Sequence, residues 1–215
     1  MPQAFAARPL PELPVAGTDL TYPVARIFCV GRNYAAHAAE MGNAVDRSEP
    51  FWFTKSPFGL LPSDAILPYP PGTDDLHHEV ELVLALGQGG EVWAHGVGLD
   101  MTRRDLQARA KEARKPWDVS KDWEGSAVVA PLVQGAPAPD AELTLSVNGD
   151  LRQRAPISDM IHGIDALLAH LRTLYTPGPG DLILTGTPAG VGPVGPGDRL
   201  EGTLTDAPPV ILRIA

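Results

Sequence analysis

A chain of 215 residues with 44% hydrophobic side chains is long enough for one globular domain with a substantial core. Its 26 acidic against 17 basic residues leave a net charge of −9, which argues against nonspecific nucleic-acid binding and against attachment to anionic membrane surfaces. No apolar run reaches the roughly 18 residues of a membrane span, the first residues lack a signal-peptide core, and the lone Cys29 precludes an intrachain disulfide, so a cytoplasmic location is expected.

The 23 prolines and 22 glycines suit a turn-dense, strand-rich fold better than a helix bundle. Residues 1–22 are Pro-rich and lack a period; they read as an N-terminal arm or peripheral strands, with 23–215 as a single unit. Residues 24–30, apolar but for Arg26, end at Gly31 and read as a strand. Residues 33–41 read as a short helix closed by Gly42. A short aromatic strand or loop edge is expected at 51–55, and a turn-rich connector at 68–75. The stretch His77-His78-Glu79-Val80-Glu81 runs into an apolar segment that stops at Gly87, which predicts a strand over 79–86. A short strand at 96–100 precedes a helix over 102–114, which Thr102 can cap with Asp105 three residues on. A strand at 143–147 leads into an Asn148-Gly149 hairpin turn. The clearest helix spans 157–175, where Ile161, Ile164, Leu168, Leu171 and Leu174 recur at spacings of three and four. Strands at 182–185, 199–204 and 209–214 complete the chain, and no linker separates two cores.

In a strand, residues two apart share a face. Val80, Leu82, Leu84 and Leu86 then point into the core, while Glu79 and Glu81 point together to the other side, roughly 7 Å apart. Two carboxylates that close beside a core repel unless something positive sits between them, and a divalent cation is the simplest compensation. A solvated strand face is the alternative. Asp100 leaves a strand just before a helix, where it can face a shared cleft or act as a helix cap. Three carboxylates form an all-oxygen ligand set that suits Mg²⁺, Mn²⁺ or Ca²⁺ over zinc.

His37 and Glu40 are three apart on one helical face, where the carboxylate can orient the imidazole and raise its basicity. A plain surface pair is the alternative. Arg104 and Gln107 share a face of the helix after Asp100 and can reach the same cleft. Lys121, in a polar loop after that helix, is either a surface lysine or a positive charge for a substrate anion. The segment Leu184-Thr-Gly-Thr187-Pro-Ala-Gly190-Val-Gly192 lacks the Lys-Ser/Thr of a phosphate loop and the spacing of a dinucleotide fingerprint. Its backbone N–H groups and Thr187 can bind a carboxylate or oxyanion, or it is a structural turn. No Gly-x-Ser-x-Gly elbow exists, and Cys29 sits inside an apolar strand, so neither supplies a nucleophile.

Several segments together, in order, resemble the fumarylacetoacetate hydrolase family, in its small acylpyruvase and fumarylpyruvate hydrolase branch. They are Val30-Gly-Arg-Asn-Tyr-Ala-Ala-His37-Ala-Ala-Glu40-Met, Phe53-Thr-Lys55, His77-His-Glu79-Val-Glu81-Leu, Gly98-Leu-Asp100-Met-Thr-Arg-Arg104-Asp-Leu-Gln107, Pro116-Trp-Asp-Val-Ser-Lys121, Val147-Asn-Gly and residues 184–192. The resemblance implies an α+β, strand-rich mixed β-roll with a few short helices, assembled as a homodimer. It implies that Glu79, Glu81 and Asp100 hold Mg²⁺ or Mn²⁺, with Ca²⁺ a substitute in crystals. It makes His37 with Glu40 the water-activating pair and Lys121 an active-site cation, and it has Arg32, Arg104, Gln107 and Thr187 contact substrate. The implied substrate is a 2,4-diketo acid, fumarylpyruvate above all, cleaved to fumarate and pyruvate in aromatic-compound catabolism. Decarboxylation or keto–enol isomerisation of oxaloacetate at the same metal, and metal-dependent keto-acid binding without turnover, are the alternatives.

Two features depart from the family pattern. Only residues 82–99 separate Glu81 from Asp100, a short segment on which the position of Asp100 and a dimer contact depend. Lys121-Asp-Trp-Glu-Gly-Ser126 replaces the usual small-aromatic pattern and bears on pocket shape. Phe51, Trp52 and Phe53 either line a distal pocket or belong to the core.

Overall fold

A computed structural model describes residues 4–42 and 45–215. In chain order its elements are β1 Glu12–Pro14, β2 Thr21–Pro23, β3 Arg26–Gly31, α1 Ala35–Glu40, β4 Phe51–Lys55, β5 Leu60–Pro62, β6 Ala65–Leu67, β7 Leu76–His78, β8 Val80–Leu86, β9 Val92–Asp100, β10 Thr102–Arg103, α2 Arg104–Glu112 and α3 Asp118–Lys121. They continue with β11 Ala127–Val129, β12 Val133–Gln134, β13 Glu142–Val147, β14 Asp150–Pro156, α4 Ile164–Leu174, β15 Asp181–Leu184, β16 Gly192–Val194, β17 Arg199–Leu204 and β18 Val210–Ile214.

The largest sheet runs β4-β3-β15-β8-β9-β11-β5, with β12 also paired to β9. A second sheet runs β14-β13-β17-β18-β6, and a small one β10-β7-β16. Pairing is antiparallel except for β15 with β3, β11 with β5 and β18 with β6. This is the strand-rich mixed β-roll that the resemblance implies.

β8 lies at the centre and is buried on both faces, which explains its continuous apolar run. Val80, Leu82, Leu84 and Leu86 pack with Leu143, Leu145, Leu200 and Leu212 of the second sheet and with Leu167 and Leu171 of α4. Val83 and Ala85 face a second cluster with Ile27, Cys29, Leu182 and Leu184. The hairpin β1–β2 covers that cluster with Leu13, Val15 and Tyr22, so the Pro-rich N-terminal stretch contributes fully buried side chains. A residue on β8 that is not apolar therefore sits between two cores, and Glu81 is one.

Several local expectations are corrected. Glu79 lies in the extended link between β7 and β8 rather than inside the strand. The strand expected at 96–100 starts at Val92, because burial on both faces removes the alternation that would reveal it. Thr102 pairs in β10 and does not cap α2; its hydroxyl accepts from Lys121 instead. Lys121 is the last residue of α3, fully buried, where a polar loop was expected. The helix expected over 157–175 begins only at Ile164, after a 3-10 turn and Gly163. Ile161, assigned to its apolar stripe, instead donates its amide to the Asn33 carbonyl.

Candidate active site

The antiparallel hairpin β8–β9 sets Val80 opposite Leu99 and Glu81 opposite Gly98. One step beyond, the Asp100 amide donates to the Glu79 carbonyl at 2.8 Å. The short 82–99 segment is thus a simple strand–turn–strand, and it delivers Asp100 beside Glu79 by ladder register. Gly98 is needed there: a Cβ would come 2.8 Å from Val83 Cγ2 and 3.0 Å from the Val128 carbonyl. Glu79, Glu81 and Asp100 are all buried, and each offers an oxygen within 4.8 Å of the others.

Three cations surround this cluster. Lys121 Nζ donates at 2.7 Å to Glu79 Oε2, to Asp100 Oδ2 and to Thr102 Oγ1, which uses all three ammonium hydrogens. Lys55 Nζ lies 2.8 Å from Asp100 Oδ1 but directs its hydrogen bond to the Lys121 carbonyl. The ion pair is close, yet Asp100 Oδ1 accepts no hydrogen bond among the described residues. Arg104 Nη2 donates to Glu79 Oε1 at 2.5 Å, and its Nη1 to Gln107 Oε1 at 2.7 Å.

Glu81 is different. It accepts the Gly186 amide at 2.8 Å, and no cation pairs with it among the described residues. Burial, then the charges of Asp100 and Glu79, push its carboxyl well above the usual range. Burial also disfavours the Glu79 anion, but Lys121 and Arg104 outweigh it and hold that carboxyl well below the usual range. Burial works against the Lys121 ammonium, and Asp100 and Glu79 overcome it to raise its pKa. One unneutralised carboxyl, one hydrogen-bond-free carboxylate oxygen and an all-oxygen donor set fit a hard divalent cation such as Mg²⁺ or Mn²⁺.

α1 brings in the second group. His37 is buried, with Nδ1 3.4 Å from Glu40 Oε2. Burial lowers the His37 pKa by more than Glu79 and Glu40 restore, which keeps the imidazole neutral at pH 7. Glu40 is in turn held by the Gly190 amide, at 3.1 and 3.2 Å to its two oxygens. Gly190 sits at φ +97°, and a Cβ there would collide with the Arg152 carbonyl, so the Gly-rich loop can reach Glu40 only with glycine.

Every residue anticipated from the sequence except Glu40 lines one small cavity of about 30 Å³. Those residues are Arg32, His37, Glu79, Glu81, Asp100, Arg104, Gln107, Lys121 and Thr187. The cavity shares Arg32, Phe53, Lys111, Trp117 and Lys121 with an open cleft of about 800 Å³. Phe51, Trp52 and Phe53 all line that cleft.

The sequence reading missed Lys55, Thr102, Lys111 and Gln153. Lys55 stood in one of the segments that carry the resemblance, Phe53-Thr-Lys55, but was given no role there. Gln153 is fully buried and pins four groups: its Oε1 accepts the Val80 amide at 3.1 Å and His78 Nδ1 at 3.0 Å, and its Nε2 donates at 2.8 Å to Thr187 Oγ1 and to the Pro188 carbonyl. Burial pushes the His78 pKa down to about 4, so the ring is neutral in this network.

The family model described as fumarylacetoacetate (FAA) hydrolase C-terminal matches residues 26–215. The chain belongs to the fumarylacetoacetate hydrolase family. Among its relatives, the fumarylpyruvate hydrolase of Ralstonia sp is 40% identical over 188 residues, covering 81% of this chain and 98% of the relative. An Escherichia coli oxaloacetate tautomerase is 39% identical over 201 residues, covering 87% and 91%. The crystal structure of fumarylpyruvate hydrolase from Pseudomonas aeruginosa, in complex with Mn²⁺ and pyruvate, superposes with a TM-score of 0.96 at 38% identity, covering 100% of this chain and 99% of that one. Both activities therefore occur among fumarylacetoacetate hydrolase family members of comparable similarity to this chain. No helix among the described residues is long and apolar enough to cross a membrane.

Proposed function

We propose that this protein hydrolyses the carbon–carbon bond of an acylpyruvate, with fumarylpyruvate as substrate and fumarate and pyruvate as products. The observation that carries the reading is the meeting, at one buried pocket, of three clustered carboxylates with a neutral histidine oriented by a glutamate. The Ralstonia and Pseudomonas relatives support it. Glu79, Glu81 and Asp100 would hold the divalent ion, which supplies a Lewis acid for the oxygens of a 2-keto acid.

The chain's own residues then divide the work. His37, its Nδ1 turned to Glu40, accepts a proton from water at Nε2. The hydroxide adds to the distal carbonyl carbon of the 2,4-diketo acid. The bond from that carbon to the methylene breaks, its electron pair leaves with pyruvate as the enolate, and the proton held by His37 is delivered to the former methylene carbon, which becomes the methyl group of pyruvate. Gln107 Oε1 is taken by Arg104, which leaves its Nε2 hydrogens to stabilise the oxyanion. Lys121, the expected active-site cation, has its three hydrogens committed, so its part is to hold Glu79 and Asp100 in place and lend positive charge. Thr187 Oγ1 accepts from Gln153 and keeps its own hydrogen for a substrate carboxylate. Arg32 stands where the cavity opens into the cleft.

Keto–enol exchange of oxaloacetate is the second reading, favoured by the Escherichia coli relative. It needs a proton moved at carbon and no attacking water. A homodimer in the cytoplasm, with the hydrolase serving aromatic-compound catabolism, completes the proposal. The test is loss of the enol ultraviolet absorbance of fumarylpyruvate with Mg²⁺, with Mn²⁺ and with chelator, alongside oxaloacetate. Metal-dependent release of pyruvate and fumarate is expected. Turnover of oxaloacetate alone would replace hydrolysis by the second reading.

A further inference from the structure

α2 presents Arg104, Gln107 and Lys111 at i, i+3 and i+7, a single helical stripe aimed at the pocket. The first two are buried and bonded to each other. Lys111 is half-buried one turn further out and lines both the small cavity and the open cleft. Arg32 lines both as well. Neither cation is paired with a carboxylate among the described residues.

Both are held on aromatic faces instead. Lys111 Nζ lies 5.1 Å from the centroid of Trp117, and the Arg32 guanidinium 5.8 Å from those of Trp117 and Phe51. Such contacts orient a cation without neutralising it and leave its hydrogen-bond donors available. Burial, then the nearby Arg104 and Arg32 charges, depress the Lys111 pKa, so an anion at this point would relieve existing repulsion. Arg114 and Lys115 extend the positive wall along the cleft. In a chain of net charge −9 this local excess is not a bulk property.

We propose that Lys111, with Arg32, binds a second carboxylate at the far end of the substrate, so that the enzyme selects acylpyruvates whose acyl group ends in a carboxylate over those with a neutral acyl group. This rests on the acylpyruvate reading above and names the class of substrate within it. The near carboxylate and 2-keto oxygen of the substrate belong at the Glu79–Glu81–Asp100 end. The acyl group extends past Phe53 and Trp117 into the cleft, and its terminal anion meets Lys111 where the two spaces join. Met is the informative replacement for Lys111, because it keeps a stem on Trp117 while removing the charge.

The test compares kcat/KM for fumarylpyruvate, a dicarboxylate, with that for acetylpyruvate, which lacks the second carboxylate. Lys111→Met should lower the ratio of the two by about 10-fold or more, the size of one lost hydrogen bond to a charged group, chiefly through KM. Lys111→Arg should restore most of the ratio, and Lys111→Glu should lower it further. Thermal melting checks that each variant is folded, and Arg32→Met supplies an independent variant of the same pair. An unchanged ratio in both Lys111→Met and Arg32→Met, with both acylpyruvates turned over, overturns the carboxylate clamp and leaves the hydrolase reading standing. If the parent enzyme turns over neither acylpyruvate, the hydrolase reading falls and this proposal with it.

Discussion

Replacing Lys55 by Met keeps an unbranched stem but removes an ammonium that lies 2.8 Å from Asp100 Oδ1, with both side chains fully buried. At 2.8 Å and an effective dielectric constant of about 20, the Coulomb attraction is about 6 kcal/mol. Desolvation of the two groups offsets part of this, and Lys121 keeps its grip on Asp100 Oδ2. The expected loss is therefore at the lower end for breaking a buried pair, about 3 kcal/mol. For a chain of this size that is a fall in Tm of roughly 6–12 °C. The same substitution leaves the three carboxylates with one positive charge fewer, so they should bind a divalent cation more tightly. Thermal unfolding by circular dichroism in chelator and in excess Mn²⁺ measures both effects. Lys55→Met should melt well below the parent in chelator and gain more from Mn²⁺ than the parent does. A Tm equal to the parent's in chelator, or an equal gain from Mn²⁺, would refute the charge-balance reasoning.

Three further outcomes follow from the site. Without metal, the raised Glu81 carboxyl binds a proton in the native state that the unfolded chain has released, so its own contribution to stability should be greatest below the unfolded value near 4.5 and fall as pH rises towards the folded one. Glu81→Gln should remove that slope in chelator melts, be at least as stable as the parent at pH 7, and lose the Mn²⁺-induced gain; an undiminished gain would contradict its role as a ligand. His37→Ala should lower kcat by about 10²–10⁴-fold while calorimetric Mn²⁺ binding persists, and in the parent kcat/KM should rise with pH along a limb centred below 6.5, since burial lowers the His37 pKa. Gly190→Ala, at φ +97° against the Arg152 carbonyl, should cost about 1–3 kcal/mol in urea melts and reduce kcat through Glu40; unaltered stability would show that the loop yields easily.

Glu79, Glu81, His37 and Glu40 were legible because their geometry is local, whereas Asp100 comes to them across the β8–β9 hairpin. Glu79 and Glu81 stand two apart in extended chain, and His37 and Glu40 three apart on a helix, so spacing alone puts each pair on one side. Arg104 and Gln107 follow the same rule on α2, and Lys111 continues it by one turn. What remained hidden is nonlocal. Lys55 owes its burial to Asp100, which arrives on β9 forty-five residues later, and Lys121 is drawn in by the same carboxylates from a segment too polar to suggest a core position. Gln153 belongs to β14, part of the other large sheet, and reaches Thr187 only because the roll closes. The extent of β9 was obscured for a different reason: with both faces buried it has no alternation, and its glycines look like turn residues while they serve close packing against Val83 and Leu132.

In the proposed site Glu79, Glu81 and Asp100 together hold one divalent ion beside His37. Anomalous diffraction from crystals grown with Mn²⁺ tests it most directly. A single strong peak is expected in contact with oxygens of all three carboxylates, lost in Glu81→Gln crystals. A peak elsewhere, or one that survives that substitution unchanged, would contradict it.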